Sequence, residues 1–96
     1  MKRYRITPAA QQDLRDIADF IAKDNPRAAH RVVSRLKAVC RTTLVMFPEC
    51  GTQCDEYQPG IRCFSVGNYV IFFRGRNPVE ILRVVYGSRD FGQLEF

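Results

Sequence analysis

The sequence predicts an α+β domain in which a helical hairpin packs on a small twisted antiparallel sheet, with the element order β-α-α-β-β-β. Two segments with helical periodicity each begin at a residue followed by proline, which is a common helix start. The last third consists of runs rich in β-branched and aromatic residues, bounded by Gly, Asn and Pro, as in strands. We expect residues 1–96 to form a single domain, because 96 residues leave no room for two cores.

The N-terminal part predicts a short strand and a first helix. Residues 2–6 alternate between polar and apolar side chains, which indicates a strand. Thr7 suits the N-cap and Pro8 the first helical position, and the helix should end near residues 23–24. Its apolar face comprises Ala10, Leu14, Ile17, Ala18 and Ile21, and its polar side carries Asp13, Asp16 and Asp19.

A second helix is predicted from Pro26 to Phe47. Asn25 is its N-cap, and Pro48 ends it because proline has no N–H and disfavours helix at the preceding residue. Its apolar stripe comprises Val32, Val33, Leu36, Val39, Cys40, Thr43 and Phe47. The short link between the two helices predicts an antiparallel hairpin.

The remaining chain predicts a loop at residues 48–60 and strands at about 61–66, 69–74 and 79–86. Gly67 and Asn68 suit a two-residue type II′ turn, and residues 75–78 make the next reversal. The first strand should pair with one of these three, giving four strands with helices on one face. The apolar sheet would then have only one helical layer, leaving a face for a partner.

The charge of the chain is concentrated in its second quarter. The net charge is +5 overall, and residues 25–48 contain five Lys/Arg and no Asp or Glu. Arg27, Arg31 and Arg35 recur every four residues and should line one exposed helix edge. This pattern indicates an acidic partner, either nucleic acid or an acidic protein segment, with a solvated helix face as the alternative.

Other function classes find little support in the composition. No apolar run is long enough to span a membrane and no signal peptide is recognisable, so we expect a cytoplasmic protein. Cys40, Cys50, Cys54 and Cys63 should then be free thiols, although a bridge between Cys50 and Cys54 stays open under oxidising conditions. His30 is the only histidine, so neither a metal site nor a nucleophile–base pair is favoured, and we expect no cofactor.

Arginines and tyrosines alternate along the predicted sheet. They are Arg62, Arg74, Arg83 and Arg89, interleaved with Tyr57, Tyr69 and Tyr86. Guanidinium groups suit phosphates or partner carboxylates, and aromatic rings can stack on bases. Strand alternation places Leu82, Val84 and Tyr86 on one face, so Arg83 should point away from the helices.

These motifs together resemble the RelE/ParE superfamily of bacterial type II toxins, and more closely its ParE branch. The resemblance runs over nearly the whole chain. It rests on residues 4–10 with Asp13, Leu14 and Ile17, on Asn25-Pro26 and Ile61-Arg62, and on residues 66–74 and 81–90.

The superfamily implies two activities. RelE-like members are ribosome-dependent mRNA endonucleases, and Arg62 and Arg89 fall where that branch has arginines. However, the C-terminal aromatics here are Phe91 and Phe96, which cannot transfer a proton. ParE-like members are described as DNA gyrase poisons that act by binding. The resemblance therefore implies a non-enzymatic toxin aimed at gyrase, with a RelE-like nuclease or a non-toxic nucleic-acid-binding module as alternatives.

The resemblance also implies a hetero-oligomer with a cognate antitoxin, whose segment, disordered when free, would fold along the helical hairpin and sheet. The antitoxin-binding residues predicted here are Leu14, Ile17, Arg27, Arg31 and Arg35, and the target-binding residues are Arg62, Arg83, Tyr86, Arg89 and Phe91. Arg89 should project from a sheet edge, with Phe91 and Phe96 on a mobile terminus. Arg89→Ala, or deletion of residues 90–96, should then abolish toxicity and leave the fold and antitoxin binding largely intact.

Overall fold

The computed structural model describes residues 3–87 and 94–96. In chain order the elements are β1 (Tyr4–Ile6), α1 (Pro8–Ala22), α2 (Pro26–Ala38), a π-helical turn (Val39–Thr43), α3 (Leu44–Met46), β2 (Thr52–Gln53), β3 (Arg62–Val66), β4 (Tyr69–Arg74) and β5 (Val79–Tyr86). Two helices pack on a five-stranded sheet, which confirms the predicted α+β class.

Both predicted helix starts are confirmed by their caps. The Thr7 hydroxyl accepts a hydrogen bond from the Ala10 N–H at 3.3 Å, and the Asn25 side chain accepts one from the Ala28 N–H at 3.1 Å. Each cap satisfies a backbone donor that the first helical turn leaves without a partner. The second helix continues through the π-helical turn into α3 and ends before Pro48. Phe47, predicted for its apolar stripe, lies past the helix end and is exposed.

The sheet has the strand order β1-β5-β4-β3-β2. The first strand pairs with a later one, as predicted, but it runs parallel to β5, so the sheet is mixed rather than antiparallel. The long connection through both helices makes this parallel pairing possible. The fifth strand, β2, comes from the segment predicted as loop and pairs with β3.

A register shift in the β4–β5 pairing changes which side chains share a face. Phe72 lies opposite Arg83 and Phe73 opposite Ile81, so Leu82 is an extra residue in β5. Leu82 packs with Phe72, whereas Val84 packs in the cluster on the helix side. The prediction that Leu82 and Val84 share one face is therefore wrong, because the bulge resets the alternation.

Both faces of the sheet are covered. On the helix side, Leu14, Leu36, Cys40 and Leu44 join sheet residues in the main core cluster. On the other side, Cys54, Ile61, Phe72, Leu82 and Val85 form a second cluster, and Leu94 packs against it. The rings of Phe72 and Phe96 meet edge to face at 5.2 Å between centroids. The expected bare sheet face is thus a second core, and Phe96, predicted for the C-terminal tail, packs on it.

One disulfide ties the loop after α3 to the sheet. It joins Cys54 to Cys63, with 6.2 Å between their Cα atoms, and Cys40 and Cys50 are free. The expectation of free thiols is wrong for two of the four cysteines, and the alternative pairing of Cys50 with Cys54 is wrong as well. The physical reason is β2, which pairs with β3 and brings the residue after it, Cys54, beside Cys63.

The free thiols differ in their surroundings. Burial raises the pKa of Cys40 to about 12. Burial also raises the pKa of Cys50, and the positive charge of Arg62 partly opposes this. Within residues 3–87 and 94–96, no three His, Cys, Asp or Glu side chains group as metal ligands. Over the same residues, no helix is long and apolar enough to cross a membrane.

Candidate functional site

A groove of about 480 Å³ runs between α1, α2 and β1. We call it the hairpin groove. Leu14 and Val33 contribute apolar floor, and Arg15, Lys37 and Arg41 supply positive charge. Its other lining residues are Tyr4, Ile6, Gln11 and Ala18. Beside it, β1 is an end strand of the sheet, so one backbone edge of that strand has no neighbouring strand among the described residues. The groove therefore combines an apolar floor, a cationic rim and an open strand edge.

A second depression, of about 610 Å³, lies where α1 meets the end of the β4–β5 pair. We call it the aromatic cleft. Phe20 is 73% exposed and Tyr86 is 50% exposed, and the rings of Tyr69 and Tyr86 meet edge to face at 5.6 Å. Its other lining residues are Asp13, Asp16, Ile17, Val84 and Val85. Burial, and then the neighbouring Tyr86, raise the pKa of Tyr69. Exposed aromatic rings around an apolar cleft are typical of protein-binding sites.

Asp13 is buried between α1 and β5, where it binds Arg83. The Arg83 Nε and Nη2 atoms donate to its two carboxylate oxygens at 2.7 and 2.8 Å, and the Val84 N–H donates to it at 2.9 Å. The hydrogen bonds to Asp13 raise the pKa of Arg83. Arg83 lies opposite Phe72, whose cluster is on the face away from the helices, as predicted. Its guanidinium nevertheless reaches Asp13 of α1 past the end of β1. Asp13 was predicted to lie on the polar side of α1. Its carboxylate instead accepts a hydrogen bond from the backbone of β5, in the part of β5 that extends past the end of β1.

Arg62 is also engaged within the fold. Its Nε atom donates to the Cys50 carbonyl at 3.0 Å, and Nη2 donates to the Glu49 and Gly51 carbonyls. The side chain is half-buried and ties the loop after α3 to β3. Its role toward a target or a phosphate stays a prediction.

Other arginines near the sheet are paired with carboxylates. Glu80 accepts from Arg5 and from Arg74, the latter at 3.2 Å. These bonds, led by that of Arg5, lower the pKa of Glu80. Arg76 pairs with Glu49. These cations therefore contribute less free charge than the sequence pattern indicates.

Arg27, Arg31 and Arg35 stand out because they are exposed on α2 and form no hydrogen bond or ion pair with any described residue. We call them the arginine ridge. They do not line the hairpin groove, although Leu14 does, and Ile17 lies in the aromatic cleft. The five residues predicted for antitoxin binding thus fall on three separate surfaces.

The predicted target-binding residues are also distributed. Tyr86 lines the aromatic cleft, Arg62 and Arg83 hold internal partners, and Arg89 and Phe91 lie outside the described residues. Phe20 was missed, although its signal is present in the sequence. It is an aromatic residue next to Asp19 that the apolar stripe of α1 does not include.

Comparison with known proteins agrees with this architecture. Residues 4–91 match the family described as the ParE toxin of the type II toxin–antitoxin system parDE. The chain is 30% identical to Toxin ParE1 of two Mycobacterium tuberculosis strains, CDC 1551 / Oshkosh and ATCC 25618 / H37Rv, over 92% of each chain. It shares its fold with a chain from the chromosomal ParDE TA system of P. aeruginosa, with a TM-score of 0.66 and 22% identity over 90% of this chain and 98% of that one. The protein belongs to the ParE toxin family of type II toxin–antitoxin systems.

Proposed function

We propose that a cognate antitoxin neutralises this toxin by placing an acidic segment with apolar side chains in the hairpin groove. The groove offers Leu14 and Val33 to apolar side chains, and Arg15, Lys37 and Arg41 to carboxylates. The end strand β1 adds backbone groups with which an extended segment can pair. A segment of this kind would be disordered when free and would order on binding, giving a toxin–antitoxin hetero-oligomer.

The residues predicted for antitoxin binding have different places in this proposal. Leu14 is a floor residue, so its contribution would be to shape the groove rather than to offer a large contact area. Ile17 would be reached only by a segment that extends over α1 to the aromatic cleft. A contribution of Arg27, Arg31 and Arg35 stays a prediction.

We propose DNA gyrase as the target, bound through the aromatic cleft without chemistry by the toxin itself. The observation that carries this proposal is the exposure of Phe20 and Tyr86 beside Tyr69 at one end of the sheet. Exposed aromatic anchors suit a binding mechanism. The engagement of Arg62 with loop carbonyls and of Arg83 with Asp13 also favours binding over catalysis, because neither guanidinium has its full set of donors free for a scissile phosphate. ParE-like toxins are described as gyrase poisons, and this chain resembles them.

Growth assays test the antitoxin proposal. The toxin expressed alone should arrest growth, and co-expression with the neighbouring gene should restore it. Replacing Arg15, Lys37 and Arg41 with glutamine should weaken neutralisation and leave toxicity in place. A control that replaces the paired Arg74 and Arg76, which lie outside the groove and away from β1, should remain neutralised. Equal growth with and without the neighbouring gene, at confirmed protein levels, would refute the antitoxin proposal.

A reaction with purified gyrase and plasmid tests the target. The toxin should trap cleaved DNA or inhibit supercoiling, and ribosome-bound mRNA should stay intact. Phe20→Ser and Tyr86→Ser should each weaken this effect at least about tenfold, as expected for hot-spot aromatics. Phe47→Ser is the matched control, because Phe47 is 60% exposed and lies outside the cleft.

Two results would contradict the gyrase proposal. The first is codon-positioned mRNA cleavage that disappears with Arg62→Ala or Arg89→Ala, which would establish a RelE-like nuclease. Because Arg62 supports a loop, the folding of its variant must be checked by circular dichroism. The second is an unchanged gyrase reaction at saturating toxin, which would move the target elsewhere.

A further inference from the structure

The arginine ridge pairs with no described residue and lies outside the two depressions. Arg27, Arg31 and Arg35 are exposed, and none bonds to a side chain or carbonyl among the described residues. The surrounding segment, residues 25–48, has no carboxylate that could neutralise them. Neither the hairpin groove nor the aromatic cleft includes them. The ridge therefore presents to solvent three guanidinium groups that no described residue neutralises.

The position of Arg27 and the spacing of the three arginines oppose helix stability. Arg27 occupies the second position of α2, near the positive end of the helix dipole, and the first turn has no acidic residue. Arg27 and Arg31, and then Arg31 and Arg35, are like-charged neighbours four residues apart, which repel one another. A helix face that served only solubility would not require this arrangement, so an external polyanion explains it better.

The geometry favours nucleic acid over a protein partner. With a rise of about 1.5 Å per residue, the Cα atoms of Arg27 and Arg35 are separated by about 12 Å along the axis, so the three forks reach successive backbone phosphates. Between them, the exposed residues of α2 are His30 and Ser34, which are both polar. Protein interfaces depend on apolar or aromatic anchors, which this face lacks. Phosphate binding needs only cations and donors.

We propose that the arginine ridge binds the phosphate backbone of duplex DNA. This differs from the antitoxin contact expected from the sequence, and it does not require that gyrase be the target. Because the ridge is separate from the hairpin groove and the aromatic cleft, DNA can occupy it while a protein partner occupies either depression. The binding is independent of base sequence, since backbone phosphates carry no sequence information.

Fluorescence anisotropy with a labelled random-sequence DNA duplex and the purified toxin tests this proposal. Affinity should fall steeply between about 50 and 200 mM salt, as counterion release requires. Replacing Arg27, Arg31 and Arg35 with glutamine should reduce the slope of log affinity against log salt concentration by about two to three. Each lost phosphate contact lowers that slope by about one. Affinity at low salt should fall at least about tenfold.

The matched control replaces Arg5, Arg74 and Arg76 with glutamine. It removes the same charge from arginines that already pair with Glu80 and Glu49, so the slope should change by less than about one. Equal losses in the two variants would overturn the proposal, because net charge alone would then explain binding. Failure of the wild-type toxin to bind DNA would also overturn it. So would a ridge variant that keeps DNA binding and loses antitoxin binding, which would identify the ridge as a protein-binding surface.

Discussion

Asp13 on α1 and Arg83 on β5 are joined by hydrogen bonds of 2.7 and 2.8 Å, although they lie seventy residues apart in the chain. The two side chains are only 9% and 15% exposed, respectively. Asp13 also accepts the Val84 N–H, and Arg83 donates to the Glu95 carbonyl at 3.2 Å. The pair thus connects the first helix, the last strand and the C-terminal residues. It does so at the part of β5 that is no longer paired with β1.

Asp13→Ala should destabilise the protein by about 2–4 kcal/mol, because it leaves a largely buried guanidinium and a backbone N–H without their acceptor. Urea unfolding followed by circular dichroism measures the change. Asp16→Ala is the control, since Asp16 is exposed and, among the described residues, accepts a hydrogen bond only from Gln12. This substitution should destabilise the protein by no more than about 0.5 kcal/mol. Equal costs for the two variants would mean that the pair contributes no net stability.

The sequence signals for helix starts were reliable because they are local. A capping side chain and the N–H group from which it accepts a hydrogen bond lie three residues apart. Thr7-Pro8 and Asn25-Pro26 therefore specify their helices without tertiary information. The bulge in β5 could not be predicted from alternation. Ile81, Leu82, Val84 and Val85 are all buried, so an apolar pattern on both faces conceals the extra residue.

The candidate site was harder to predict, because the sequence does not show which charges are paired. Arg62 and Arg83 resemble free cations along a strand, yet their partners are loop carbonyls and an aspartate distant in sequence. The arginine ridge was predictable, since no acidic residue lies nearby in the chain. The aromatic cleft brings Phe20 together with Tyr69 and Tyr86, and only the packing of α1 on the sheet achieves this.

Leu94→Ala should destabilise the protein by about 1–2 kcal/mol, because Leu94 packs on the cluster around Phe72 and Leu82. Glu95→Ala is the control, since its backbone carbonyl would still accept from Arg83.

By the same reasoning, deleting residues 90–96 should destabilise the fold, contrary to the expectation from sequence. Loss of toxicity in that deletion would therefore not identify a target contact, and Arg89→Ala is the better test. A deletion variant with wild-type unfolding in urea would contradict this.

Reducing the disulfide should lower the unfolding free energy by about 2–3 kcal/mol, because the bond closes a short loop of the unfolded chain. Cys54→Ser combined with Cys63→Ser should reproduce the loss without a reductant. Cys50→Ser keeps the bond and should respond to reductant as the wild type does.

Mass spectrometry after iodoacetamide treatment checks the cysteine assignment independently. In the unreduced native protein Cys40 should resist alkylation, since a pKa of about 12 leaves almost no thiolate at pH 8. Reduction should make Cys54 and Cys63 available. Rapid labelling of both before reduction would contradict the disulfide.

Glu80→Gln should make the protein less stable near neutral pH and leave it nearly unchanged in acid. Hydrogen bonds from Arg5 and then Arg74 lower the pKa of Glu80 below its ordinary value of 4.5. Its contribution to stability is therefore present above that value and is lost as pH falls through the lower pKa of the folded state. Thermal unfolding of the wild type and of Glu80→Gln should be measured from neutral to acidic pH. The difference in stability between the two proteins should vanish in acid. Glu56→Gln is the control, since Glu56 forms no ion pair with a described residue.

Arg27→Glu should stabilise the toxin and weaken its binding to DNA. A carboxylate at the start of α2 is favoured by the helix dipole and can pair with Arg31 one turn later, which together contribute about 0.5–1 kcal/mol. Arg35→Glu removes the same charge two turns further along, where the dipole gives no comparable benefit. Thermal unfolding should therefore separate the two variants, whereas DNA anisotropy should show a loss for both. Equal stabilisation by both substitutions would mean that the effect comes from net charge. It would contradict the inference that Arg27, at the start of α2, lowers the stability of the toxin.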